Sequence, residues 1–144
     1  MTDNPLTTYP SPPFAGQPQS FPGKTGRMVP EPDHGEASYR GSGKLTGQAA
    51  LITGGDSGIG RAVAIAFARE GADVAIAYLP VEQSDAEDTA EWVRKAGRRV
   101  LLLPGDLRDP TYCRDLVART VSELGGLDIL VNNAAAQVVN EDLD

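Results

Sequence analysis

Apolar and polar positions along the chain change character near residue 44. Upstream, no stretch sustains a period of two or of 3.6. Downstream, short apolar runs alternate with helical stripes. Residues 49–53 (AALIT) form an apolar run ended by glycines, which predicts a buried strand. Ile59, Val63, Ala66 and Phe67 then recur at helical spacing as far as Gly71, a residue suited to a helix C-cap. Residues 73–78 (DVAIAY) predict a second strand, stopped by Pro80. Ser84 followed by Glu87 spells a capping box and predicts a helix running through Trp92 and Val93 to Gly97. Residues 99–103 (RVLLL) predict strand three. Asp109 and Pro110 supply an N-cap and a first-turn proline, and Leu116, Val117, Thr120, Val121 and Leu124 predict the inward stripe of a third helix ending at Gly125. Residues 127–131 (LDILV) predict strand four.

The unit is therefore strand–helix, three times over, with a fourth strand. The strands are nearly continuous in apolar residues rather than alternating, as happens when both sheet faces carry helices. Right-handed crossovers leave few arrangements. The expectation is an α/β, Rossmann-type doubly wound parallel sheet in the order 3-2-1-4, with a crevice beyond the carboxyl ends of strands 1 and 4 where such sheets take their ligands.

Composition changes the picture in the first third. Eight of the eleven prolines lie in residues 1–40 (Pro5, Pro10, Pro12, Pro13, Pro18, Pro22, Pro30, Pro32). Too few large apolar side chains stand between them to offset the entropy of ordering. Residues 1–43 read as a Pro/Gly-rich tail, either a disordered leader or an arm that docks on a neighbouring subunit, and residues 44–144 as the folded part. Residues 1–47 carry four basic and four acidic groups, so the net charge of −7 sits in residues 48–144. An acidic chain in which nothing concentrates positive potential speaks against a nucleic-acid partner. The longest apolar run, residues 62–68, has seven residues, against about twenty for a membrane span. The opening MTDNPLTTYP has neither the basic start nor the apolar core of a secretory signal, and the single Cys113 cannot build a disulfide framework, which together favour the cytoplasm.

The candidate chemistry begins at Thr53-Gly54-Gly55-Asp56-Ser57-Gly58-Ile59-Gly60, between strand one and helix one. Glycines there permit a tight turn, backbone approach to a pyrophosphate and close helix–strand packing. The helix N-terminus adds unpaired N–H groups and a positive dipole end for the anion. The glycine spacing, Gly54, Gly58 and Gly60, is T-G-x-x-x-G-x-G and resembles the cofactor turn of the short-chain dehydrogenase/reductase family. Two further segments are similar to family motifs: Gly105-Asp106-Leu107 after strand three, and Asn132-Asn133-Ala134-Ala135 after strand four, with Ala135 where the family has Gly. The resemblance covers about residues 46–140. The stretch PDHGEASYRGSGKL is similar to the tailed bacterial subgroup of general stress proteins and glucose/ribitol dehydrogenase-like or aldehyde-reducing enzymes.

The resemblance implies an NAD(P)-dependent oxidoreductase that moves hydride between nicotinamide and a small carbonyl or alcohol. Gly54, Ser57, Gly58, Ile59 and Gly60 would hold the phosphates, Asp106 and Leu107 the adenine, and Asn132, Asn133 and Ala134 the adenosine-side wall. The family is commonly a homo-oligomer. About twenty residues beyond Gly58, where an acid would bond the ribose of NAD, stand Tyr78, Leu79 and Pro80. With no carboxylate there to repel a 2′-phosphate, the sequence leans to NADP. The family's catalytic Ser and Tyr-x-x-x-Lys pair have no counterpart: Lys24, Lys44 and Lys95 are preceded at four residues by Ser20, Arg40 and Glu91. The expectation is an N-terminal piece of a longer enzyme, ending about four strands into a sheet that usually has six or more, with strand four as an unprotected edge. The alternatives are a non-catalytic dinucleotide-binding module and an inactive fragment.

Four features carry no chemistry in this reading. Gly23-Lys24-Thr25 lacks the leading glycine and preceding strand of a P-loop. His34 stands alone in the tail. Cys113, with no His near it in sequence, reads as a structural thiol. Arg94, Lys95, Arg98 and Arg99 read as a solvated helix end favourable to its dipole.

Overall fold

In the computed structural model, described for residues 4, 7, 10–19, 23 and 25–136, the chain forms two compact units, Met1–Pro32 and Asp33–Asp144. The regular element of the first is a 3-10 turn, Thr25–Arg27, and there the Gln17 amide and the Val29 backbone bond each other reciprocally (2.6 and 2.7 Å).

The second unit holds a four-stranded parallel sheet in the order β3-β2-β1-β4. Its elements are β1 (Ala49–Thr53), α1 (Gly58–Arg69), β2 (Asp73–Tyr78), α2 (Gln83–Lys95), β3 (Val100–Pro104), α3 (Pro110–Leu124) and β4 (Ile129–Val131). Every residue of β1 and β2 is buried, which explains their unbroken apolar reading. One sheet face packs Ile52, Val74 and Ile76 on Ala64 and Ala68 of α1 and Ala86 and Val93 of α2. The other packs Leu51, Ala75 and Ala77 on Leu116 and Leu124 of α3. The order, the parallel register and the helix on each crossover match the sequence reading.

Three local expectations do not hold. Ile59 is 77% exposed: it sits in the first turn of α1, before that helix meets the sheet. Val117 and Val121 are exposed, because α3 buries only the row Leu116, Thr120 and Leu124. The Ser84–Glu87 capping box does not form. Instead the chain enters α2 through a 3-10 turn, Pro80–Glu82, in which the Glu82 carboxylate accepts the Leu79 N–H (3.1 Å), while Ser84 bonds Asp85. The caps of α3 are as read: Asp109 accepts the Thr111 N–H (2.8 Å), and Gly125 takes φ +89°.

The folded unit begins upstream of the compositional boundary at residue 43. Residues 33–47 lie along α1 through polar bonds that no periodicity announces. Arg69 donates to the carbonyls of Gly35 (2.6 Å), Glu36 (2.5 Å) and Tyr39. The Glu70 carboxylate accepts from the Tyr39 hydroxyl and from the N–H groups of Ser42 (2.9 Å) and Lys44 (3.0 Å). Gly41 makes this approach possible, since a Cβ there would lie 1.9 Å from the Arg69 carbonyl oxygen. His34 is not alone: its Nδ1 lies 3.1 Å from the Glu36 carboxylate, which also pairs with Arg61 (3.0 Å).

The Tyr39 hydroxyl, then the Lys44 and Ser42 N–H groups, hold the Glu70 carboxyl down to about 2, from an ordinary 4.5. A carboxyl whose folded value is lowered stabilises the fold above its ordinary value and loses that contribution as pH falls towards the folded one. Amide exchange in residues 33–47 is therefore expected to accelerate between about pH 4.5 and pH 2 relative to the sheet. Glu70→Gln should raise exchange there already at neutral pH and flatten the acid dependence; the same pH profile in both proteins would rule out this anchor.

Candidate functional site

The site lies at the carboxyl ends of β1, β2 and β4, where the order reverses across β1 and an open α/β sheet presents its crevice. The turn from β1 to α1 is fastened on both sides. Towards β2, the Gly54 N–H donates to the Ala77 carbonyl (2.7 Å). Towards β4, the Thr53 hydroxyl accepts the N–H groups of Asn133 and Ala134 (both 3.0 Å), and the Asn133 amide donates to the carbonyls of Thr53 and Gly54 (both 3.0 Å). Thr53 and Asn133 thus splice β4 to the turn.

Three glycines have three different physical reasons. At Gly54 (φ +61°) a Cβ would meet the Asn133 amide at 3.1 Å; at Gly60 it would lie 1.9 Å from the Gly54 carbonyl oxygen. Both are set by how closely helix and strands approach. Gly58 differs. Its φ is +52°, yet a Cβ there would meet nothing within 4 Å. The backbone is held in a conformation that favours glycine beside open space, where the first turn of α1 begins. Ser57 is the N-cap of α1 and makes no capping hydrogen bond from its side chain, so the N–H groups of the first turn face that space uncapped. Ile59 stands exposed at its mouth. A cradle of this form suits a diphosphate.

Gly54, Ser57, Gly58, Ile59, Gly60, Asn132, Asn133 and Ala134 lie on this one turn or on the segment spliced to it. Asn132 and Ala134 are exposed beside the turn, with Asn133 half-buried. Tyr78 is placed otherwise. Its ring is 4% exposed and packed with Ile52 and Ala86, and its hydroxyl donates to Gln83 (2.7 Å), so it presents no phenol to the crevice. Asp106 and Leu107 follow β3. Leu107 is exposed, and Asp106 is clasped by Arg108, whose guanidinium donates to both carboxylate oxygens (2.5 and 2.9 Å to Oδ2, 3.1 Å to Oδ1). That clasp holds the Asp106 carboxyl down to about 2. A hydrogen bond from an adenine amino group would share these oxygens with Arg108, a residue that spacing alone did not single out.

The fold also places two carboxyls at this end of β2: Asp56, which counting along the chain did not single out, and Glu82, which the count put further into the loop. Asp56, inside the glycine turn, is 2% exposed, and its Oδ2 has no hydrogen-bond partner. Thr89 of α2 donates to its carbonyl (2.8 Å) and pins the turn in place. Burial pushes the Asp56 carboxyl up, its own N–H and the Ser57 hydroxyl oppose this, and the charge of Asp85 adds to it. Glu82 is pushed up by burial and by Asp56. The lean to NADP rested on the absence of a carboxylate at residues 78–80, with Glu82 set aside as further into the loop. The crossover brings acids from residues 56, 82 and 85 to the same end of β2, and that ground for preferring NADP falls away.

Cys113 donates to the Leu107 carbonyl (3.2 Å), in keeping with a structural thiol. The Arg98–Arg99 pair is not a free helix end: both guanidiniums bind Asp73. No helix among the described residues is long and apolar enough to cross a membrane.

Residues 48–144 match the profile of the short chain dehydrogenase family. General stress protein 39 of Bacillus subtilis is 51% identical across 85% of this chain and 42% of its own length. Among solved structures, carveol dehydrogenase from Mycobacterium avium in complex with NAD is 32% identical (TM-score 0.66, 71% of this chain, 40% of that one). A short chain dehydrogenase from Burkholderia cenocepacia in complex with NADP is 43% identical (TM-score 0.60, 65% of this chain, 38% of that one). The chain spans about half or less of the length of the curated relatives it matches.

Proposed function

The chain belongs to the short chain dehydrogenase family, and from that membership we propose that it forms the adenosine- and pyrophosphate-binding half of an NAD(P)-dependent oxidoreductase. The nicotinamide would accept or deliver hydride at a small carbonyl or alcohol. The observation that carries the reading is Gly58: left-handed backbone beside open space, at the mouth of an uncapped helix.

The residues of this chain bind and orient. The N–H groups of the first turn of α1 point at the diphosphate, with Ser57 beside them. Thr53 and Asn133 hold the turn rigid, so little ordering remains to be done when the ligand arrives. Asp106, oriented by Arg108, receives the adenine edge, and Asn132 and Ala134 form the wall beside it. Cytoplasmic residence and self-association of the whole enzyme belong to the same reading.

Fluorescence titration of NADH tests it. Asn tolerates left-handed backbone, so Gly58→Asn fills the seat with little strain. Binding is expected to weaken at least about tenfold, worth about 1.4 kcal/mol, with the melting temperature nearly unchanged. Undiminished binding by the variant would remove the seat from the argument.

A further inference from the structure

A pocket that the dinucleotide reading leaves unused opens at the other end of the sheet, where β3 begins and where α2 and α3 end. It has a volume of about 350 Å³, within the range of small-molecule sites. Arg94, Arg98 and Arg99 line it together with the apolar Val100, Leu101 and Leu124. Three arginines around one pocket stand out on a chain of net charge −7. We propose that this pocket binds a small phosphate monoester with an apolar body, its phosphate held by Arg94 and Arg98 and its body against Val100, Leu101 and Leu124. The site lies at the amino ends of the strands and does not rest on the dinucleotide reading.

The donors of the three arginines are spent unequally. Arg99 is committed to Asp73 (2.7 Å) and to the last carbonyls of α3, those of Glu123 and Leu124. It thereby covers the negative end of that helix, which would otherwise repel an anion. The end of α2 is closed as well: the N–H groups of Gly97 and Arg98 donate to the carbonyls of Arg94 (2.9 Å) and Val93 (3.2 Å). Arg98 and Arg94 keep donors in hand. Arg98 meets Asp73 through one terminal nitrogen (2.6 Å), and its buried Nε has no acceptor, an exception among buried polar atoms. Arg94 lies 3.6 Å from Glu87, beyond hydrogen-bond distance. The acids nearby do not cancel these cations. Asp73 is shared between Arg98 and Arg99, and Glu123, which also lines the pocket, is paired with Arg119 (3.0 Å). A guanidinium presents five donors in a planar fork, which matches the oxygens of a phosphate. The apolar side chains beside that fork have no use for a bare ion and favour a ligand with an apolar body.

Amide NMR titration of this chain with phenyl phosphate tests the site residue by residue. Saturable shifts are expected across residues 94–101 and 123–124, with a Kd of about 1 mM or tighter. Inorganic phosphate should act on the same residues at least about threefold more weakly, for want of the apolar contact. Benzyl alcohol, which has the ring without the charge, should shift none of them. Arg94→Gln, at a half-exposed position, should weaken phenyl phosphate at least about tenfold with the melting temperature unchanged. Arg98→Lys, which can keep a charge on Asp73 but loses the fork, should weaken it in the same direction and serves as the second variant. Gly58→Asn should leave these shifts as they are, which separates the pocket from the diphosphate turn. The proposal is overturned by the absence of saturable shifts at these residues or by shifts confined to the first turn of α1. It is overturned equally if inorganic phosphate or benzyl alcohol binds as well as phenyl phosphate, or if the folded Arg94→Gln chain keeps full affinity.

Discussion

Gly60→Ala is expected to destabilise the chain by about 3–5 kcal/mol, a large share of what a domain this size possesses. In an exposed helix the same change gains up to about 1 kcal/mol, because alanine loses less backbone freedom than glycine. Here the added Cβ would lie 1.9 Å from the Gly54 carbonyl oxygen and 2.6 Å from the Asn133 amide. The first contact is with backbone, so no side chain can rotate to relieve it. Either α1 moves away from β1, opening the contacts of Ala64 and Ala68 with Ile52, or the turn unwinds and the two Asn133 bonds break. Overpacking alone costs about 1–3 kcal/mol; losing the splice to β4 adds to it. Urea denaturation provides the measurement, with a lower midpoint and the slope showing whether the native state has loosened. A midpoint within about 1 kcal/mol of the unaltered chain would show that helix and strand are not held at this distance. Comparison with Gly58→Asn separates the roles: one glycine is required by packing, the other by the ligand.

What the sequence made legible was what short-range physics controls. Residues 49–53 and 73–78 sit at the centre of the sheet with both faces covered, so their apolar runs had no competing interpretation. Asp109, Pro110 and Gly125 act within one helical turn of their own positions, and they cap α3 as read. The glycine turn was legible because its spacing encodes steric requirements of its own backbone. What escaped depends on partners far away in sequence. Ile59, Val117 and Val121 satisfy a helical period, but a period fixes only which residues share a face, not how wide a strip the sheet covers. Pro80 began a 3-10 turn ahead of α2, and Glu82 rather than Ser84 formed the bond at that entrance. Residues 33–47 lack a core pattern and are held by Arg69 and Glu70 from about thirty positions away, a distance no local rule spans. Asp56 comes near enough to act on the charge of Glu82 for the same reason, because the crossover folds two turns onto one strand end.

Asp73→Ala is the second large effect, at about 2–3 kcal/mol, at the opposite end of the sheet. Asp73 opens β2, and its carboxylate, 8% exposed, receives Arg98 at 2.6 Å and Arg99 at 2.7 Å, together with the Arg99 N–H at 3.0 Å. Arg99 continues to the last carbonyls of α3, donating to Glu123 (3.2 Å) and Leu124 (2.7 Å), where a cation also complements the helix dipole. One carboxylate therefore ties the start of β2, the start of β3 and the end of α3 together. Arg99 is more than half exposed, so its pairing alone is a weak contribution. Arg98 is the costlier partner to abandon, since its Nε is buried without a hydrogen bond and removal of Asp73 would leave that cation uncompensated. Arg99→Ala should accordingly cost clearly less than Asp73→Ala, and the double variant should cost less than the two added together. Burial pushes the Asp73 carboxyl up, but the Arg99 bonds and the charges of Arg98 and Arg99 outweigh it and hold it below its ordinary value. Its contribution is therefore present above the ordinary carboxylate range and lost as pH falls below it. The stability of Asp73→Ala should for that reason fall less steeply in acid than that of the unaltered chain. Strict additivity of the Asp73 and Arg99 changes would mean that the clasp works as separate surface pairs, and that the ends of β2, β3 and α3 are held by apolar packing alone.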